Sequence, residues 1–521
     1  SQYENAMKCF QQMLIEGILP DAIALGFYLK ACGNVGAANK CESLHAWIEA
    51  MRFSEEGHFI FSTLIEIYCN LGMIVKAKGV LDRLEIRDEI ILTPLMTGYL
   101  EHGCCEEAFT YFKQIQLEGA TLDSSLLVCV LKACGSLKAR DKGEEIHAEI
   151  EKKGWLEHKH VGNALVDMYV KCGSVVIARQ VFDRLRIKDV VSWSTLISGY
   201  VDDGCHQEAL RYFELMQEQS VFPNAVTFVS ALKSCGNGRI MDQGCELHSQ
   251  IEKMGLRETD LVVGTVLVDM YAKFGWLCEA HQVFEELPVR NVVSWSAMIS
   301  GYVLNGCGEE ALSCFMKMRA EGISPDVVTF VSILKACSEI GCLEVGEKIH
   351  VEIRILGLLE RNIILGSALL SMYAKCNMME KAQKVFDDEL PTRDVASWNV
   401  LIAGYVHVGL DEEALKYFMQ MLDHGLFPNR VILISILKAC GNTGNFERAE
   451  ELIKKFCRNG LFEIDSVLGT TLVDMYAKCD MIEKSQEVFD KMSVRDVVSW
   501  TALISGYVQH GLSDEALSYF R

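Results

Sequence analysis

From Val190 to Asn224 the apolar residues fall at helical intervals twice over. Trp193, Leu196, Ile197 and Tyr200 share one face of a first stretch, Gly204 interrupts it, and Ala209, Leu210, Phe213 and Met216 mark a second. Pro223-Asn224 closes the stretch with a turn. The pattern predicts two helices of about a dozen residues each. Helices of that length are marginal alone in water, so the pair must bury its apolar face on neighbours.

The neighbours are further copies of the same pattern. VVSWSTLISGYVDDGCHQEALRYFELMQEQSVFPN at 190–224 returns at 292–326 and 395–429, in a more diverged form at 89–123, and in part at 497–521. Between these copies lie a second type of unit, at 22–57, 124–158, 225–260, 327–362 and 430–465, and a shorter third type, at 58–88, 159–189, 261–291, 363–394 and 466–496. Residues 1–21 are the tail of a first-type unit. Each unit is one helical hairpin, and stacked hairpins make an α-solenoid, whose stability is a sum over neighbours and not the property of one core. Copies of one surface position then recur at regular intervals, as a reader of a linear polymer requires.

Composition changes this picture in three places. Apolar residues make up 50% of the 521 and there are only 7 prolines, so almost the whole chain is expected to be ordered. No apolar run reaches the ~18 residues of a membrane span, and no signal peptide opens the chain. Because the chain begins and ends inside repeats, it reads as a fragment of a longer protein. The 21 cysteines mostly follow the repeat: Cys32, Cys134, Cys235, Cys337 and Cys440 occupy one site, and Cys172, Cys376 and Cys479 another, where Phe274 stands in for cysteine. A position that accepts phenylalanine is a packing position, so buried free thiols in a reducing compartment are expected. The formal net charge of −21 argues, taken alone, against a polyanionic partner and for a protein-binding scaffold.

The recurring VVSW..LISGY, EAL.YF..M, LK[AS]CG and L[VL].MYAK segments, in fixed order and in three unequal lengths, resemble the pentatricopeptide repeat family, and specifically its PLS class. The first, second and third unit types are similar to the P, L and S motifs: fourteen complete motifs with a partial one at each end, a single array over 1–521. The resemblance implies an all-α, right-handed superhelical α-solenoid that reads single-stranded RNA, one base per motif, with the N-terminus toward the 5′ side. It also implies that the fifth and last residues of P and S motifs choose the base. Carried over, Ser62 with Asp88, Thr93 with Asp123, Ser296 with Asp326, Ser367 with Asp394 and Thr470 with Asp496 resemble G pairs. Asn163 with Asp189 resembles a U pair, and Ser194 with Asn224 and Thr265 with Asn291 resemble A pairs. Asn399 with Asn429 suggests a pyrimidine, C before U, and Thr501 a purine. The fifth L positions, Gly26, Val128, Val229, Val331 and Ile434, offer a base no side-chain hydrogen bond. The implied target is near 5′-GGnUAnAGnGCnGR-3′, and Asn163→Ser is expected to move the U position toward G.

Lys171, Lys273, Lys375 and Lys478, at the thirteenth S position, are phosphate candidates, because the family uses a lysine there; Asn70 breaks the series. A second ladder, Lys30, Lys132, Lys233, Lys335 and Lys438, runs through the L motifs, and a solvated helix end is the alternative for both. Local lysines on an inner face can meet phosphates despite the overall charge, since salt screens distant charges. The second positions, Phe59, Ile90, Val191, Val262, Val293, Ile364 and Val498, either sandwich bases or pack between helices.

Catalytic candidates are few. His147-Ala-Glu149 and His350-Val-Glu352 imitate the His-x-Glu of zinc deaminases, but no Cys-x-x-Cys occurs to complete a zinc site. Both histidines belong to a series with His45 and His248 at one repeat position, which points to packing. Trp193, Trp295, Trp398 and Trp500 also follow the repeat as core residues. No catalytic residue, cofactor or metal is expected in this chain. The resemblance implies a mitochondrial or chloroplast factor, mitochondrial by preference, that specifies a C-to-U editing site, with accessory editing factors as partners at the L motifs. RNA stabilisation, splicing or processing, and a protein-binding scaffold, stay open as alternatives.

Overall fold

The structure, a computed structural model, describes residues 2–50, 57–83, 89–117, 123–456 and 465–520. Among them every regular element is a helix and no strand occurs. The chain divides into two compact units, Ser1–Val266 and Leu267–Arg521. Each is an α-solenoid of helical hairpins in chain order.

The hairpins follow the apolar pattern. In the first unit, Val190–Asp202 and His206–Glu218 form one hairpin and Ala225–Gly238 and Met241–Lys253 the next. The turn inside the first hairpin places Gly204 at φ 75°, in the left-handed region. A side chain there meets no neighbour within 4 Å, so only the backbone conformation excludes it. Gly204→Ala is therefore expected to cost about 1 kcal/mol, read as a lowered urea midpoint without a change in helix content.

The first helices of successive hairpins pack side by side: Ser124–Ser136 on Lys159–Lys171, that on Val190–Asp202, and that on Ala225–Gly238. In the second unit the same layer runs through Val292–Leu304, Val327–Ile340, Ile363–Lys375, Val395–Val408 and Arg430–Thr443. Second helices dock on their own first helix and on the next, forming an outer layer. The tryptophans of the first layer are the knobs. Trp193, Trp295, Trp398 and Trp500 each meet Phe182, Phe284, Phe386 and Phe489, respectively, edge to face at 4.7 Å between ring centres. The first three are almost fully buried, which makes them core residues and not stacking platforms.

The first helices of the P motifs at 190, 292, 395 and 497 begin under a side-chain cap, and so do several others. Asp123, Asp189, Asn224, Asn291, Asp326, Asp394, Asn429 and Asp496 accept the backbone N–H three residues on, at 2.8–3.0 Å. Aspartate and asparagine are among the side chains best suited to this task, so the fold alone asks for a short polar residue at these positions.

The cysteine and histidine series are structural. Cys32, Cys134, Cys235, Cys337 and Cys440 are fully buried and unpaired. Burial pushes the Cys134 and Cys337 thiols up to about 12, which leaves them inert. His45, His147 and His350 bond through Nδ1 to the hydroxyls of Tyr68, Tyr169 and Tyr373 at 2.9–3.1 Å. Burial also holds His45 and His147 below the ordinary imidazole range. Among the described residues no group of three His, Cys, Asp or Glu side chains could hold a metal ion.

The outer helices also account for much of the charge. Arg83 with Glu49, Lys113 with Glu145, Arg184 with Glu151, Arg319 with Glu352 and Lys381 with Glu347 pair across consecutive second helices. Each such exposed pair contributes at most about 1 kcal/mol. Basic groups on this side are thus engaged with acids, and further acids, such as Glu309 and Glu310, sit in the first turn of a second helix, where the helix dipole favours them.

Candidate nucleic-acid interface

A cleft opens between consecutive first helices, on the side away from the second helices. In the first unit it is lined by Asn163 and Asp189 together with Val128, Lys132, Lys159 and Val191. It continues into a second cleft formed by Ser194 and Asn224 with Val191, Thr195 and Lys171. In the second unit Thr470, Asp496 and Thr501 line an equivalent cleft with Lys438 and Val498. Fifth residues, last residues, a second-position valine and a lysine thus meet at one wall.

The fifth residues form the floor. Ser62, Ser194, Thr265 and Ser296 are no more than 8% exposed, and Thr93, Asn163, Ser367, Asn399 and Thr470 are half-buried. Several hydroxyls are not free rotors. Ser62 Oγ donates to Phe59 O at 3.0 Å, Ser194 Oγ to Val190 O at 2.7 Å, Thr265 Oγ1 to Leu261 O at 2.9 Å and Thr501 Oγ1 to Val497 O at 2.7 Å. Each keeps its lone pairs as acceptors while its proton is committed to its own helix. By contrast, Asn163 Oδ1, Ser367 Oγ, Asn399 Oδ1 and Thr470 Oγ1 are buried and have no hydrogen-bond partner.

The pairs read from sequence differ in how closely they are joined. Asn163 Nδ2 donates to Asp189 Oδ1 at 3.0 Å. Ser296 Oγ donates to Asp326 Oδ1 at 3.1 Å and also meets Thr329 Oγ1 at 2.6 Å. Ser194 reaches Asn224 through Thr227, whose hydroxyl lies 2.8 Å from Ser194 Oγ and donates to Asn224 Oδ1 at 2.8 Å. Asp88 lies outside the described residues. Asn291, Asp394 and Asn429 are placed as helix caps.

The cap has a chemical consequence. The backbone N–H takes Oδ1, so an asparagine turns its amide N–H₂ outward and an aspartate its second carboxylate oxygen. Where no neighbouring side chain covers it, the last residue therefore offers a donor or an acceptor according to its identity.

The second positions are exposed: Val191 57%, Val293 55%, Val262 59% and Ile364 68%. Phe59, at the same position, lays its ring against Gly26 of the preceding first helix, and the side chain of Ile90 lies outside the described residues. Three of the S-motif lysines have local partners. Lys171, Lys273 and Lys478 each pair with an aspartate one turn earlier, Asp167, Asp269 and Asp474, at 2.7–2.9 Å. Ser371 holds the corresponding place before Lys375. The L-motif lysines, ranked second from sequence, reach the clefts directly at Lys132 and Lys438. The aspartates and the bridging Thr227 and Thr329 were missed, although LVDMYAK and VTF recur in the sequence and mark them.

The model of the PPR repeat family matches residues 188–237 and 290–339. That of the PPR repeat matches 59–88, 90–119, 163–190, 367–388, 396–426, 431–461, 470–497 and 498–521. A chloroplastic pentatricopeptide repeat-containing protein of Arabidopsis thaliana is 33% identical over 466 residues, 89% of this chain and 75% of its own length. The chain belongs to the pentatricopeptide repeat family. A second chloroplastic pentatricopeptide repeat protein of that plant is 34% identical over 463 residues, and a mitochondrial one 31% over 497. The chain spans 57% and 48% of these two relatives. Among solved structures, the pentatricopeptide repeat protein PPR10 from maize superposes over 99% of this chain and 81% of its own, with a TM-score of 0.57 at 20% identity. PPR10 in complex with an 18-nt psaJ RNA element superposes with a TM-score of 0.61 at 17% identity. These likenesses establish the repeat fold for the chain.

Proposed function

We propose that this pentatricopeptide repeat chain reads single-stranded RNA one nucleotide per motif, in PLS register, and specifies a C-to-U editing site in an organellar transcript. The carrying observation is the row of buried, unpartnered polar atoms at fifth positions, Asn163 Oδ1, Ser367 Oγ, Asn399 Oδ1 and Thr470 Oγ1. An unsatisfied buried polar atom costs about 1–3 kcal/mol. Native proteins carry few of them, and a base edge would supply the missing partner. The occurrence of PPR10 with a bound RNA element supports the same use of the fold. Chloroplastic and mitochondrial relatives support an organellar setting.

The proposed letters follow from the caps. Guanine offers N–H donors along its pairing edge, which suit the outward oxygen of Asp326. Adenine offers a ring-nitrogen acceptor, which suits the outward amide of Asn224. The exposed valines at second positions cover the base faces, and Lys132, Lys375 and Lys438 stand nearest to free phosphate contacts. The preferred RNA is then near 5′-GGnUAnAGnGCnGR-3′, with accessory editing factors at the L motifs. Stabilisation, splicing or processing of the transcript would use the same groove, and the alternation of three motif lengths favours editing.

The test is a filter-binding series on RNAs changed at one nucleotide each. A wrong base at a named position should weaken binding by about 1–3 kcal/mol, and a change at an n position by much less. Asn224→Asp should move preference opposite that motif from A to G by about tenfold, while the helix cap and the melting temperature stay unchanged. Equal losses at all positions would overturn the code. No binding to any single-stranded RNA by the folded protein would favour the scaffold reading instead.

A further inference from the structure

The cleft at residues 159–189 contains a group that no other complete P or S motif has. Its first helix opens with Lys159, where the other complete P and S motifs carry His58, Glu89, Val190, Leu261, Val292, Ile363, Val395 and Ser466. Lys159 Nζ lies 2.8 Å from Asp189 Oδ2. The remaining oxygen, Oδ1, accepts from Ser192 N at 2.9 Å and from Asn163 Nδ2 at 3.0 Å. Both oxygens of this last-position carboxylate are therefore engaged inside the protein. At Asp326, by contrast, the cap and the hydroxyls of Ser296 and Thr329 all converge on Oδ1.

We propose that Lys159 is a positioning residue for base choice: by covering Asp189 Oδ2 it removes the outward carboxylate acceptor, so that Asn163 Oδ1 alone faces the nucleotide. The proposal rests on the RNA reading above. Guanine presents two neighbouring donors, N1–H and N2–H₂, and is held best by two acceptors. With Oδ2 covered, the Asn163–Asp189 pair offers one. Uracil presents a single ring donor, N3–H, and matches the lone Asn163 Oδ1. Cytosine presents a lone pair at the same ring position and is repelled by it. Burial alone would raise the Asp189 carboxyl. The Lys159 ammonium, the Ser192 N–H and the Asn163 amide together hold it below the usual carboxylate range, so the acceptor state persists at neutral pH. The covered oxygen also explains how a motif ending in aspartate can avoid guanine without a change in its cap.

The experiment uses the full chain and four RNAs that differ only at the nucleotide opposite residues 159–189. The wild-type protein should bind U best. Lys159→Met keeps the aliphatic stem and should raise the affinity for G relative to U by about fivefold or more, with preference opposite residues 190–224 unchanged. Lys159→Arg, which can still cover the carboxylate, should retain the wild-type order. Asn163→Ser should reach full G preference only together with Lys159→Met. If Lys159→Met instead weakens all four RNAs equally and lowers the salt slope by about 0.7, Lys159 is a phosphate contact and the proposal fails. Unchanged binding in every respect also overturns it. If the wild-type protein does not distinguish the four RNAs, while Asn224→Asp still alters its own position, the U assignment fails together with this proposal. If neither position discriminates, the RNA code itself fails.

Discussion

Trp398→Ala is expected to destabilise the protein by about 3–5 kcal/mol. Trp398 is 1% exposed, meets Phe386 edge to face at 4.7 Å, and lies 6.3 Å from the ring of Tyr417. It thus joins three helices of two consecutive hairpins. In a solenoid, stability is carried by such nearest-neighbour interfaces. Emptying this one should uncouple the hairpins on either side as well as lower the total. The urea transition should move to lower concentration and become broader, because fewer residues then unfold together. Trp398→Phe should recover much of the loss, and Val293→Ala, at an exposed second position, should leave the transition in place. Loss of RNA binding by Trp398→Ala with an unaltered urea midpoint would contradict the core assignment.

Gly301→Val is the second large effect, expected at about 3 kcal/mol. A Cβ placed on Gly301 would stand 2.6 Å from the Cβ of Ala272, far inside van der Waals contact. The clash falls between two first helices, where neither side is a flexible chain end. The same approach recurs between Gly404 and Ala374 and between Gly506 and Ala477, at 2.9 and 2.7 Å. These contacts set the separation of neighbouring first helices, and with it the separation of the groups on the groove floor. Gly301→Val should therefore lower the urea midpoint and also weaken RNA binding at temperatures where the protein remains folded. A variant that is destabilised yet binds with unchanged affinity and base preference would show that the floor spacing tolerates a shift.

The sequence carried the architecture because every hairpin faces the same physical problem. Each must bury one face on a nearly identical neighbour, so the apolar period, the capping residue and the helix-ending glycine return at fixed intervals. Trp193, Cys134 and His147 could be recognised as packing residues by their recurrence alone. The candidate site was legible as positions but not as chemistry. Nothing in the chain of letters tells that Ser194 spends its proton on Val190 O, or that Lys159 covers Asp189 Oδ2. Those facts depend on helical geometry one turn away and on the neighbouring hairpin. Gly301 lies between the two cases. Its copies at 98, 199, 404 and 506 are visible in the sequence, but the reason for them lies in the opposed Ala272.

The capping residues carry an implication for how such a protein changes over time. Asparagine and aspartate close a helix almost equally well, and each points a different hydrogen-bonding partner outward. A single-nucleotide exchange between Asn and Asp codons can thus rewrite one letter of a recognised message with little penalty in folding. Specificity can drift, one hairpin at a time, across a scaffold that need not be rebuilt.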